Sequence, residues 1–203
     1  MESVRLRDGS QVMVRPVEPG DREAIRAGFE RMGPDSRYKR FLSPIAELTE
    51  RQLDYLTEVD HHDHEALVAI DDDGAEGERL GLGVARYVRL EPDGPRAEVA
   101  VAVIDDWQGR GLGSSLLGRL SERAREDGVE MFTAAVLTEN QAVVELLGRL
   151  GSTTSHHAGA GQMELEIELE GDDSLTELMH HAASGAMRFA ERIRTWRPGG
   201  AGM

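Results

Sequence analysis

Apolar residues recur along the chain at two spacings, and the two alternate from one segment to the next. A period of two residues predicts a hairpin from Val4 to Val14 that turns at residues 8–10. Spacings of three and four residues predict helices, such as the one that carries Leu112, Leu116 and Leu117. The mixture of periods indicates an α/β protein. Further strands are predicted over 66–70, 80–90, 96–104, 131–137 and 163–169.

Capping residues predict where several helices begin and end. Asp21 is placed to cap a first helix that ends at Gly33, and Thr49 is placed to cap a later one. Another helix is predicted to follow Asn140 and to stop at Gly151. The buried sides of these three helices are expected to carry Ile25, Phe29, Met32, Leu53, Leu56, Val59, Val143, Val144, Leu146, Leu147 and Leu150.

The strand that ends at Ile104 runs into a glycine-rich loop and then into a long helix. Glycines at 109, 111 and 113 allow positive φ and a close approach of the backbone to a ligand. The first amides of a helix lack internal partners and lie at the positive end of its dipole, so they can hold a phosphate. Arg110 and Ser114 add a charge and a hydroxyl. The loop therefore predicts an anion-binding turn, with a merely tight connection as the alternative.

The spacing of this loop separates it from two common phosphate-binding motifs. It lacks the Gly-Lys-Ser/Thr of mononucleotide loops, and its glycines do not have the G-x-G-x-x-G spacing of dinucleotide loops. It matches Q/R-x-x-G-x-G/A, with Gln108, Gly111 and Gly113 in the fixed positions. In this the chain resembles the GNAT superfamily of N-acyltransferases, whose corresponding loop binds the pyrophosphate of acetyl-CoA.

The resemblance implies an α/β (α+β) GNAT fold with a mixed central sheet of six to seven strands, splayed at the acetyl-CoA site and flanked by helices. It also implies that Asn140 contacts the pantetheine arm of the cofactor, and that strand amides bind the same arm and polarise the thioester carbonyl. The cofactor-binding residues expected on this basis are Val101, Ala102, Val103, Gln108, Gly109, Arg110, Gly111, Leu112, Gly113, Ser114 and Asn140.

A second sequence motif is similar to one group of enzymes within this superfamily. Residues 36–41 read S-R-Y-K-R-F and are similar to the stand-alone bacterial protein lysine acetyltransferases of the Pat type, where the phrase belongs to a helical region beside the acceptor. Ordinary helix packing by Tyr38, Phe41 and Leu42 is the alternative interpretation.

Glu98 is the candidate catalytic residue. It stands in the phrase A-E-V-A of residues 97–100, and in Pat-type enzymes the matching glutamate removes the proton of the acceptor amine, directly or through water. The alternative is an exposed strand glutamate paired with Arg96 or Arg86. The family's usual tyrosine, an acid for the leaving thiolate, would fall at Leu147, so the chain departs from the pattern there.

The resemblance covers roughly residues 12–169, so we expect an acetyltransferase domain over 1–169 and an amphipathic helical extension over 170–203. The apolar stripe of the extension is expected to pack within the chain, and a homodimer contact or a cover on the acceptor groove is the alternative.

Composition narrows the class of protein. The chain of 203 residues suits one domain with a sizeable core, and its lack of cysteine excludes a thiolate nucleophile. No apolar run reaches the length of a membrane span and the N-terminus lacks the apolar centre of a signal peptide, so a cytoplasmic protein that acts on no membrane is expected. The formal net charge of −15 opposes nucleic-acid binding and favours cationic partners. Lys39 is the only lysine.

Histidines and carboxylates crowd residues 60–65, D-H-H-D-H-E. Neighbours in a run do not surround one ion as a helical i, i+4 pair does, so we predict a polar loop and no metal site. A pH-sensitive role for His61, His62 or His64 remains an alternative.

Three functions are open at this point. The first is acetyl-CoA-dependent acetylation of a protein lysine, for example on an acyl-CoA synthetase, with acetyl-CoA as cosubstrate. The second is acetylation of a small amine or of an amino-terminus, and the third is an acyl-CoA-binding regulatory module without catalysis. The acceptor depends on loop geometry that periodicity does not fix.

Overall fold

The computed structural model describes residues 1–71 and 80–169. The predicted turn after Asp71 and the predicted C-terminal extension lie outside the described residues. The strands are β1 (Glu2–Arg5), β2 (Gln11–Pro16), β3 (His64–Asp71), β4 (Gly81–Arg89), β5 (Arg96–Val103), β6 (Met131–Leu137), β7 (Gly151–Gly159) and β8 (Gln162–Leu169). The helices are α1 (Arg22–Glu30), α2 (Pro34–Phe41), α3 (Glu50–Thr57), α4 (Leu112–Glu126) and α5 (Gln141–Leu147).

The strands form one mixed sheet of eight, in the order β1-β2-β3-β4-β5-β6-β8-β7. Neighbouring strands are antiparallel except β5 and β6, which are parallel. The mixed α/β sheet predicted from the sequence is confirmed, with one strand more than the upper estimate. The additional strand is β7, a polar edge strand whose side chains from Ser152 onward are exposed. Because none of its positions faces the core, it shows no apolar alternation.

Helices cover both faces of the central strands. Helix α4 packs on β3, β4 and β5, whereas α1 packs on β4 from the other face and α2 contacts β5. Strand β4 is accordingly buried on both sides, since its consecutive residues Arg86 and Tyr87 face opposite sides of the sheet and are 3% and 0% exposed. The apolar stripe of α4 consists of Leu112, Leu116, Leu117 and Leu120, each at most 1% exposed.

The predicted helix boundaries hold in part. Thr49 caps α3, since its side chain accepts a hydrogen bond from the Gln52 amide and the Gln52 side chain accepts from the Thr49 amide. Asp21 precedes α1 without capping it, because its carboxylate is occupied by the Arg15 guanidinium at 2.5 and 2.7 Å. Helix α5 ends at Leu147, before the predicted stop at Gly151, where β7 begins.

Among the helices of the described residues, none combines the length and the apolar character that a membrane crossing requires.

Helix α1 and strand β4 touch through glycines. A Cβ added to Gly28 would lie 2.3 Å from the carbonyl oxygen of Gly81, and neither backbone can move without shifting its element. We expect Gly28→Ala to lower the free energy of unfolding by about 1–3 kcal/mol, the usual cost of overpacking. The matched control is Gly118→Ala in α4, where a Cβ meets no atom within 4 Å and where alanine favours the helix by roughly 0.5–1 kcal/mol. Urea unfolding of both variants measures the difference, and equal stabilities would contradict the close contact.

His64 makes the fold sensitive to acid. Its ring lies 5.1 Å from that of Tyr55, its Nε2 has no hydrogen-bond partner among the described residues, and burial lowers its pKa from 6.5 to about 4. Between these two pH values the unfolded chain binds a proton that the folded chain does not, so stability conferred by the neutral ring is lost as the pH falls through this window. The loss attributable to His64 is at most about 3 kcal/mol.

We therefore expect the free energy of unfolding of wild type to fall more steeply between pH 7 and pH 5 than that of His64→Phe, which keeps an aromatic ring beside Tyr55. Urea unfolding at pH 7, 6 and 5 checks the slopes. Parallel slopes would show that His64 is not held in its neutral form.

Candidate active site

Strands β5 and β6 part at Glu98. Their parallel ladder joins Arg96–Glu98 to Met131–Thr133 and goes no further, although β5 continues to Val103 and β6 to Leu137. On its other edge β5 stays paired with β4 through Val103. Beyond Glu98 the sheet is therefore forked, and no strand of residues 1–71 and 80–169 pairs there with the edge of β5 that faces β6.

The end of the fork beside the glycine-rich loop holds a cavity of about 410 Å³, which we call the loop cavity. It brings together ten of the eleven residues that the sequence put forward as cofactor-binding. These are Val101, Ala102, Val103, Gln108, Gly109, Gly111, Leu112, Gly113, Ser114 and Asn140.

The loop reaches the cavity through backbone conformations that glycine favours. Gly109 has a φ of +73° and Gly111 a φ of +92°. Gly111 is the N-cap of α4, and no side chain caps that end. The first amides of a helix have no acceptor within the helix, so those at the start of α4 are available to an anion in the loop cavity.

Gln108 fastens the loop to its surroundings. Its side-chain amide lies 3.0 Å from the carbonyl oxygen of Val103, 3.2 Å from the hydroxyl of Ser36 and 3.2 Å from the carboxylate of Asp105. The glutamine therefore joins the loop, the end of β5 and α2, and it also lines the cavity.

Arg110 departs from the prediction. Its guanidinium lies 3.2 Å from the Asp8 carboxylate and 4.8 Å from the centre of the Trp107 ring, and it does not line the loop cavity. Arg7 takes that place: its side chain lies against Gly111, and its amide donates to the carbonyl of Arg110. Arg7 belongs to the turn between β1 and β2, about a hundred residues away in sequence, and only the sheet brings it here.

Three further cations line the loop cavity: Lys39 and Arg40 on α2, which belong to the segment 36–41 singled out in the sequence, and Arg149 after α5, which no sequence signal marked. Lys39 also contacts Asp35 at 2.5 Å, and this hydrogen bond raises its pKa. The cavity thus carries positive side chains in a chain whose net charge is −15.

Helix α5 presents Asn140, Val143 and Leu146 to the loop cavity. Asn140 stands at the N-cap position of α5, where its side chain makes no capping hydrogen bond. Leu147, at the position of the family's tyrosine, is 2% exposed and belongs to the hydrophobic core. Of the residues that line the loop cavity, Ser36 and Ser114 carry hydroxyls.

A second cavity of about 500 Å³, which we call the arginine cavity, contains Glu98. The exposed carboxylate of Glu98 shares it with Arg40 and Arg86, and Arg40 lines both cavities. Burial lowers the pKa of Arg40, and the charge of Glu98 opposes that effect. Neither arginine named as a possible partner of Glu98 pairs with it, since Arg96 binds Glu166 at 2.6 Å and Arg86 donates to the Leu56 carbonyl.

The histidines of residues 60–65 point to separate partners. The ring of His61 bonds to Glu65 at 2.9 Å, that of His62 bonds to Asp93 at 2.6 Å, and that of His64 lies beside Tyr55. The hydrogen bond to Asp93 raises the pKa of His62. This segment therefore does not converge its three imidazoles on one point.

Comparisons with known proteins agree with this geometry. The model of the acetyltransferase (GNAT) family matches residues 34–151. Acetyltransferase Pat of Mycolicibacterium smegmatis is 41% identical over 149 residues, which cover 73% of this chain and 43% of that protein. An acetyltransferase of Pseudomonas aeruginosa is 34% identical over 146 residues, which cover 72% of this chain and 77% of that protein.

The crystal structure of the GNAT domain of S. lividans PAT superimposes with a TM-score of 0.73 and 31% identity, and the match covers 83% of this chain and 96% of that domain. The match to the Mycolicibacterium protein spans less than half of that protein's length. The matched family model and these relatives place the chain in one family: it belongs to the GNAT acetyltransferases.

Proposed function

We propose that the protein transfers an acetyl group from acetyl-CoA to a primary amine, the side chain of a protein lysine, with Glu98 as general base. One observation carries the proposal. Ten of the eleven residues expected to bind the cofactor line one cavity, Glu98 lines the next, and Arg40 lines both.

The loop cavity suits the phosphates of coenzyme A. The uncapped start of α4 offers backbone amides, Gly111 adopts a positive φ and carries no Cβ beside them, and the guanidinium of Arg7 lies nearby. Asn140 and the unpaired edge of β5 are placed for the amide groups of the pantetheine arm. When bound, acetyl-CoA supplies the electrophilic thioester carbonyl.

The acceptor amine must lose a proton before it can attack the thioester, and this is the role proposed for Glu98. A lysine side chain has a pKa near 10.4, so only about one part in several thousand is neutral at pH 7. The Glu98 carboxylate is exposed at the fork of the sheet, where it can take the ammonium proton and pass it to solvent. The neutral amine then forms the new nitrogen–carbon bond as the carbon–sulfur bond breaks. Coenzyme A leaves as its thiolate and is protonated to the thiol, which balances the second proton that the nitrogen gives up on becoming an amide.

A lysine acceptor in a protein is supported by the resemblance of residues 36–41 to the Pat-type enzymes. In the structure this segment forms most of α2 and supplies Arg40 to both cavities. Transfer of labelled acetyl from acetyl-CoA to purified acyl-CoA synthetases, compared with a panel of small amines, tests the acceptor class. Because Lys39 is the only lysine of the chain, acetylation of its own side chains has a single target, and mass spectrometry separates it from transfer to the acceptor.

Glu98→Gln is expected to bind acetyl-CoA as wild type does and to lose about 10²- to 10⁴-fold in turnover at neutral pH, the usual value of general-base catalysis. The deficit shrinks as the pH rises, because the amine then loses its proton without help. Steady-state rates from pH 6 to pH 10 measure this. The control is Glu168→Gln, another exposed strand glutamate, which should behave as wild type. A deficit that does not vary with pH would remove Glu98 from this role.

Gly111→Val is expected to weaken acetyl-CoA binding by about 100-fold or more, the equivalent of two lost charge-assisted hydrogen bonds. The position has a φ of +92°, and a Cβ there would already lie 3.2 Å from Arg7 Cγ. Calorimetric titration with acetyl-CoA measures the affinity, with Gly118→Ala as the variant expected to leave it unchanged. An affinity equal to that of wild type would contradict the assignment of this loop to the phosphates.

A further inference from the structure

Arg86 is a buried charge with no counter-charge paired to it among the described residues. It lies on β4 and is 3% exposed. Its Nη2 donates to the carbonyl of Leu56 at 2.8 Å, and its guanidinium lies 5.3 Å from the centre of the Tyr55 ring. Its Nε and Nη1 have no hydrogen-bond partner among the described residues. A buried donor left without an acceptor costs free energy, so these two nitrogens point to a ligand that accepts hydrogen bonds from them.

The other buried arginines of the described chain are satisfied. Arg15 makes a two-pronged contact with the Asp21 carboxylate at 2.7 and 2.5 Å. Arg89 donates to the carbonyls of Gly94 and Asp127 and lies 3.2 Å from the Asp63 carboxylate. Arg86 therefore differs from Arg15 and Arg89, each of which contacts a carboxylate.

The unpartnered nitrogens belong to the cavity that holds Glu98. Arg86 is registered opposite Ala100 of β5, and Ala100 lies two residues from Glu98 on the same face of the strand. Both Arg86 and Glu98 line the arginine cavity. Residues two apart in a strand are separated by about 7 Å. A molecule that presents its amine to Glu98 therefore has Arg86 within reach of a group a few bonds away from that amine.

The surroundings favour an anion there. Burial, together with the charge of Arg40, lowers the pKa of Arg86 to about 10, so the guanidinium is charged at neutral pH in a site where its charge is disfavoured. A carboxylate fits such a site, because it accepts two parallel hydrogen bonds from a guanidinium and offsets the buried charge.

We propose that Arg86 recognises a carboxylate on the acceptor, so that the preferred acceptor is a molecule that holds an acidic group close in space to the reacting amine. The inference rests on the proposed function for the position of the amine. The carboxylate can come from two sources: the α-carboxylate of a free amino acid, or an aspartate or glutamate adjacent to the target lysine of a protein.

Binding to the complex of the full chain with coenzyme A tests this without turnover. Two pairs of probes differ only in the acidic group: the blocked peptides Gly-Glu-Lys-Gly and Gly-Gln-Lys-Gly, and L-leucine with L-leucinamide. We expect wild type to bind the acidic member of at least one pair about tenfold more tightly, the value of one charge-assisted hydrogen bond. The pair that shows the preference identifies the source. Because the chain has a net charge of −15, long-range electrostatics favour the neutral members, so a preference for the acidic one reports a local contact.

Arg86→Gln is expected to abolish the preference by weakening only the acidic member, and Arg86→Lys to keep part of it. Arg96→Gln removes the same charge from an exposed position on β5 and should leave the preference intact. The affinity for coenzyme A and the thermal unfolding of each variant establish that it is folded. Should Arg86→Gln fail to fold, the wild-type pairs and Arg86→Lys still decide the question.

Two outcomes would overturn the inference: wild type that does not distinguish the members of either pair, and Arg86→Gln that weakens both members alike. A preference that persists while no acetyl group reaches any acceptor would overturn the proposed function and leave the carboxylate site standing. Acetyl transfer without any preference for the acidic probes would overturn the carboxylate site and leave the proposed function standing.

Discussion

The parting of β5 from β6 is the constraint on which the rest of the site depends. A parallel pair needs a long crossover, and here that crossover is the glycine-rich loop and α4. Their ladder covers three residue pairs, from Arg96↔Met131 to Glu98↔Thr133. Since β5 remains bonded to β4 while β6 remains bonded to β8, the fork is held open from both sides. The same divergence leaves one edge of β5 without a strand, opens the loop cavity and sets Glu98 at the branch point.

The charge of the whole chain and the charge of its cavities have opposite signs. The net charge of −15 favours cationic partners at long range. Cations outnumber carboxylates in both cavities: Arg7, Lys39, Arg40 and Arg149 against Asp35 and Glu145 in the loop cavity, and Arg40, Arg86 and Arg89 against Glu98 in the arginine cavity. At a distance an anionic cofactor meets repulsion, and within the cavities it meets positive side chains. The net charge of the chain therefore affects how a charged ligand approaches the protein, whereas the side chains of the cavities determine the charge that the ligand meets once it is bound.

The sequence predicted best those features that are local along the chain. The apolar stripe of α4, the cap at Thr49 and the grouping of the loop with β5 all follow from residues close together, and the structure contains them. Contacts that depend on the sheet order could not be read in this way. Arg7 reaches the loop only because the β1–β2 turn lies beside it. Arg110, which the sequence predicted to bind the cofactor, instead donates to the Asp8 carboxylate of that turn.

Two further differences between the sequence-based predictions and the structure arise because the pattern of apolar residues indicates only which positions are buried. Strand β7 buries no side chain fully, so it has no pattern to recognise. Leu147 fits the apolar stripe of α5, is buried in the core and does not line the loop cavity. Arg86 is the opposite case, a polar residue in a strand that is otherwise buried, and its significance appears only when its hydrogen bonds are counted.

The positions of Arg40 and Arg86 also bear on the proton that the reaction must remove. An amine that enters the arginine cavity as an ammonium ion meets these two guanidinium groups together with the carboxylate of Glu98. Nearby like charges lower the pKa of an ammonium ion, whereas Glu98 attracts it. Under the proposed function, Glu98 would draw the amine to the fork and the arginines would favour its neutral form once it is there. A carboxylate on the acceptor would neutralise Arg86 and leave this second effect to Arg40, which is the residue that lines both cavities.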